Sequence, residues 1–82
     1  MTKASEKLLT LQGRYLMVDR IGKGPVRVQY EHCDIKDGCF LKGDWGEGYD
    51  FEAACEDYFR KISGKTLVFD AGGSRRQEVT VL

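Results

Sequence analysis

The chain has 82 residues, 41% of them hydrophobic and 32% charged, with thirteen basic and thirteen acidic residues and a formal net charge of zero. That balance excludes a bulk electrostatic pull toward nucleic acid or an anionic membrane, and the composition is too apolar for a disordered chain. The longest apolar runs, such as Leu67-Val68-Phe69, are far too short to span a bilayer. The N-terminus has Lys3 and Lys7 but lacks the apolar segment of a signal peptide, so the chain is read as cytoplasmic. A chain of this length makes one domain, 1–82, whose thin core leaves little room for an enclosed active site. Three cysteines, Cys33, Cys39 and Cys55, with no secretory signal argue for free thiols rather than a disulfide framework.

In chain order, Thr2 to Leu11 reads as a short helix. Ala4, Leu8 and Leu11 share a face, Thr2 can cap it and Gly13 stops it. Arg14 to Ile21 reads as a strand, and Gly22-Lys23-Gly24-Pro25 as a loop. Val26 to Ile35 is the clearest strand, with Val26, Val28 and Tyr30 alternating with Arg27, Gln29 and Glu31. Pairing Ile21 with Val26 sets Met17 opposite Tyr30 but places Asp19 on the apolar face opposite Val28. Either Asp19 has a partner there or the register shifts by one residue. Asp37-Gly38 predicts a two-residue hairpin turn into a third strand, Cys39–Lys42. That hairpin sets Ile35 and Phe40 on the face opposite Val26, and a bulge near His32–Asp34 would restore a single apolar face.

Gly43 to Tyr49 reads as a glycine-rich loop carrying Trp45 and Tyr49. Asp50 to Ser63 is the main helix. Phe51, Ala54, Cys55, Tyr58, Phe59 and Ile62 form its apolar stripe, Asp50 its N-cap and Gly64 its C-terminal stop. Thr66–Asp70 and Gln77–Leu82 read as two further strands joined by a glycine turn. The expected fold is α+β: a twisted, mostly antiparallel sheet of about five strands packed on one main helix, with a short N-terminal helix. A partly open barrel with one helix is the alternative.

Chemical motifs are weak throughout. Ser63-Gly64-Lys65-Thr66 has the tail of a phosphate-binding loop. However, Phe59 stands where that loop needs glycine, and the segment runs from helix to strand instead of strand to helix. His32, Cys33, Cys39 and Cys55 are the right types for zinc but lack the close pairing of its ligands, so no metal or cofactor is expected. His32 and Cys33 are neighbours on a strand and point to opposite faces, which argues against a thiol–imidazole pair and against an enzyme.

Two surfaces remain. Asp44 to Asp57 holds six acids and no lysine or arginine, and within it Asp44, Trp45, Glu47 and Tyr49 form an acidic aromatic segment. Large rigid aromatics on a glycine-rich segment suit a protein-binding anchor. A thin core equally suits Trp45 as a lid and Tyr49 packed beside Phe51. The second surface is a basic patch around Arg75 and Arg76, with Arg60 and Lys65, which would contact phosphates of a nucleic acid. The expectation is a non-catalytic protein-interaction module, with nucleic-acid binding as the alternative. The chain is expected to be a monomer or a weak homodimer, the latter through the terminal strand Gln77–Leu82 as a sheet edge.

Overall fold

In the computed structural model, which describes residues 3–10, 15–20 and 22–81, the described residues form two helices and seven strands. The order is α1 (Ala4–Leu9), β1 (Leu16–Arg20), β2 (Val26–Tyr30), β3 (Cys33–Asp37), β4 (Phe40–Lys42), β5 (Gly46–Gly48), α2 (Phe51–Ile62), β6 (Thr66–Phe69) and β7 (Gln77–Thr80). The fold is α+β, with antiparallel strands packed on a helix. The strands make two open sheets, however, in the orders β1-β2-β5 and β4-β3-β6-β7. The expected helix stop at Gly13 and the expected partner Ile21 lie outside the described residues.

The single long strand expected from Val26 onward is broken at Glu31-His32, where His32 adopts φ 55°. The break carries the chain from one sheet into the other. It does more than the anticipated bulge, because both Tyr30 and Ile35 reach the same core across it. The first hairpin is shifted by one residue from the expected pairing: Arg20 faces Val26, Val18 faces Val28 and Leu16 faces Tyr30. The slip has a clear physical cause. It takes Asp19 off the apolar face, where its carboxylate would be buried unpaired, and sets it outside beside Arg27 at 3.4 Å.

The second hairpin also shifts. Asp37 pairs with Phe40, so Gly38-Cys39 forms the turn, with φ 61° at Gly38 alone, the pattern of a type II′ turn. Ile35 is buried but Phe40 lies near the turn and is exposed, so only the first of that pair serves the core.

Helix α2 forms as its stripe predicts. Ala54, Cys55, Tyr58 and Ile62 are buried, Phe59 is half-buried, and Phe51 at the first turn stays partly exposed. The Asp50 carboxylate accepts from the Ala53 N–H at 2.8 Å, and Gly64 follows the helix at φ 76°. Helix α1 packs on α2 through Leu8. Its exposed N–H groups are met by the Glu52 carboxylate, which accepts from Ser5 N at 3.1 Å and from the Ser5 hydroxyl. Those bonds hold the Glu52 pKa below the usual carboxylate range. The core joins both sheets and α2: Val26, Val28 and Tyr30 from one sheet, Ile35, Leu67 and Phe69 from the other.

Candidate binding surface

The segment expected to be a loop contains strand β5, which pairs Gly46 with Val28 and Gly48 with Val26. The alternation Gly46-Glu47-Gly48 turns both glycines toward α2. A methyl group on Gly46 would collide with the Ala54 carbonyl and the backbone and Cβ of Tyr58. One on Gly48 would lie 2.5 Å from Ala54 N and 2.6 Å from Ala53 C. Absent side chains on this strand let the helix lie directly on the sheet. Glu47 therefore points outward, on the side that carries Met17, Asp19, Arg27 and Gln29 by the strand register.

Trp45 sits over that outer face, fixed at several points. Its indole N–H donates to Glu47 Oε1 at 2.8 Å, and the Arg27 guanidinium lies 5.4 Å from the ring centre. Its backbone N–H donates to Asp44 Oδ1 at 2.8 Å, and its carbonyl accepts from Lys61 Nζ at 2.9 Å. Asp57 on α2 closes the set: its carboxylate accepts from the Glu47 N–H at 2.9 Å and meets Arg60 at 2.8 Å and Lys61 at 3.2 Å. The backbone bond from Glu47, with those from Arg60 and Lys61, pulls the Asp57 pKa down to about 2. Asp44 also lies 3.7 Å from Lys61.

Trp45 remains 38% exposed and, with Met17, Val18, Asp19, Arg27 and Gln29, lines a groove of about 550 Å³. It is neither folded into the core nor loose on a mobile loop. Asp44 and Glu47 adjoin it, and one carboxylate oxygen of each accepts a hydrogen bond from the tryptophan. Tyr49 is 82% exposed and lines a separate groove with Arg20, Lys23, Gly24, Pro25 and Glu47, instead of packing in the core. Reading the sequence missed Met17, Arg27, Gln29, Asp57 and Lys61. Arg27 and Gln29 appeared only as the wet side of a strand, and the shifted register concealed that Met17 and Asp19 join them.

The basic residues of the second expected surface are spread out. Arg75 and Arg76 lie in the turn between β6 and β7, whereas Lys65 precedes the opposite end of β6, a strand length of roughly 13 Å away. Arg60 is paired with Asp57, and Arg76 with Glu78 at 3.3 Å. Arg75 borders a shallow polar groove of about 720 Å³ with Gln29, His32, Asp34 and Asp70.

Among the described residues, no three His, Cys, Asp or Glu side chains converge as a metal site. Cys55 is buried on α2 and its thiol is pushed up to about 11, chiefly by burial, while Cys39 is exposed at the hairpin turn. No helix of the described residues is long and apolar enough to cross a membrane. No family model, curated protein or solved structure matches the chain.

Proposed function

We propose that this is a non-catalytic protein-interaction module whose binding surface is the outer face of β1, β2 and β5, centred on Trp45. The observation that carries the reading is a tryptophan held by four separate contacts yet more than a third exposed beside a groove. A ring fixed before binding loses little side-chain entropy on association, and tryptophan is the residue most enriched among interface hot spots. Met17 extends the apolar part of the surface, Val18 borders the groove from the next position on β1, and Asp19, Arg27 and Gln29 give it a polar rim. Tyr49 lies outside this groove and serves a partner only if that partner also reaches around the β5 end of the sheet.

The test is affinity capture from lysate by wild type, Trp45→Ala and Trp45→Phe, with circular dichroism and melting curves for each. Specific captured proteins should be lost with Trp45→Ala and largely kept with Trp45→Phe, while all three domains melt cooperatively. Loss of one hot-spot ring should weaken binding by about 2 kcal/mol or more. Unchanged capture by Trp45→Ala, or a domain that no longer folds without the indole, removes the reading. Nucleic-acid binding remains the second reading. It is the weaker one, because Arg60 and Arg76 are held in ion pairs while Arg75 and Lys65 lie beyond opposite ends of β6.

A further inference from the structure

The second sheet ends in a strand whose residues are all exposed. β4 is only Phe40-Leu41-Lys42, among the described residues it pairs with β3 alone, and it carries Phe40 at 77% and Leu41 at 41% exposure. Natural edge strands are usually protected by charge or by a covering element. Here two large apolar side chains lie on opposite faces of an uncovered edge, with Lys42 as its one charge.

The turn fixes which backbone groups are free. A two-residue hairpin closes on a hydrogen-bonded pair, here Asp37 and Phe40, and the pattern then alternates. Phe40 and Lys42 therefore direct their N–H and C=O groups toward β3. Leu41 directs both of its own outward, to the open edge.

We propose that β4 pairs antiparallel with β4 of a second copy about a two-fold axis at Leu41, joining the two four-stranded sheets into one of eight. Such an interface is self-complementary. Leu41 exchanges two backbone hydrogen bonds with its symmetry mate, and their side chains meet on one face. On the other face Phe40 of each copy lies opposite Lys42 of the other, twice over. The ammonium can lie on the ring, directed toward Asp37 on the far side of it, an acid with no ion pair of its own among the described residues. No like charges are opposed within the three-residue strand. The terminal edge, β7, is the poorer candidate. It presents Gln77, Glu78 and Thr80, and Glu78 already meets Lys36 and Arg76.

Two hydrogen bonds and two ring contacts make a weak, concentration-dependent dimer, read best by sedimentation equilibrium of the whole chain across a wide concentration range with reductant present to silence the exposed Cys39 thiol. Wild type should associate reversibly. Leu41→Pro removes the outward N–H together with the leucine side chain and takes no hydrogen bond from β3, a change an edge strand tolerates, and should abolish dimer while the domain still melts cooperatively. Phe40→Lys sets lysine against Lys42 and should raise the dissociation constant about tenfold or more. Adding Lys42→Glu to Phe40→Lys should restore association. A wild type that stays monomeric at the highest concentration, a dimer indifferent to Leu41→Pro, or a failure of the charge swap to rescue would each overturn the assignment.

Discussion

Gly46 is the position where a single atom decides the architecture. Its backbone lies so close to α2 that a Cβ would enter the space of the Ala54 carbonyl and of Tyr58. Those neighbours are backbone and a Cβ, neither of which can swing aside as the tip of a long side chain can. Gly46→Ala should therefore push α2 off the sheet and cost about 3 kcal/mol, at the upper end of overpacking penalties. Gly72 is the internal control: nothing lies within 4 Å of an added Cβ, and its φ is not positive. Gly72→Ala should leave the urea midpoint within the usual range for surface changes, about 0.5 kcal/mol. Equal midpoints for the two alanine variants would show that the helix does not rest on β5. The same residue shows what sequence pattern conceals. Two glycines around a glutamate read as a turn, because glycine is the commonest turn residue. Their service here is to be small on a strand, and only the helix packed against them reveals it.

At the scale of elements, α2 was the most legible part and the sheet pairings the least. The helix announced itself through a stripe of six apolar residues, an aspartate cap and a glycine stop, signals confined to consecutive residues. A pairing register depends on residues far apart, and a one-residue slip leaves the alternation of each strand intact. The warning was Asp19, which the expected pairing left on an apolar face; its carboxylate decided the outcome. The candidate site was legible only in part, as Trp45 with its flanking acids. The other side chains that fix it come from β2 and α2, and Asp57 is the one that ties α2 to β5. That tie makes a pH prediction. Asp57 has a folded pKa of about 2, below the ordinary 3.8. A depressed carboxylate pKa contributes stability that is fully present above the unfolded value and is lost as pH falls through the folded one. Wild type should therefore lose stability between about pH 4 and pH 2 by this route. Asp57→Asn should be less stable at pH 7 but should fall less steeply over that window. Parallel urea midpoints from pH 7 to pH 2 would show that Asp57 does not contribute to the acid limb.

The whole molecule depends on how the two sheets meet. β2 has hydrogen-bonding partners on both sides only while β5 lasts, and β5 ends at Gly46, opposite Val28. Two residues on, Tyr30 is left with a buried N–H and, among the described residues, no strand to receive it. Tyr58 of α2 supplies the acceptor through its hydroxyl at 3.1 Å, and that same hydroxyl also meets the Cys33 side chain at the start of β3. Burial is the main reason its pKa is raised above the ordinary phenol value. Around this point Tyr30 packs at a tilt against Tyr58 at 5.7 Å and edge-to-face with Phe69 of β6 at 5.8 Å, while its own hydroxyl donates to the Leu8 carbonyl of α1 at 2.6 Å. One phenol thus completes the end of the first sheet where the chain crosses into the second. Tyr58→Phe keeps the ring and all of its packing, so its effect isolates the hydroxyl. An orphaned, buried backbone N–H costs about 1–3 kcal/mol, and the variant should lose that much stability. In a domain of this size each kcal/mol lowers the melting temperature by about 4–8 °C. Hydrogen exchange locates the effect. The Tyr30 amide and the first residues of β3 should lose protection most, because the junction opens before the rest of either sheet. A melting temperature unchanged by Tyr58→Phe would mean that ring packing alone joins the sheets and that water reaches the Tyr30 amide without cost.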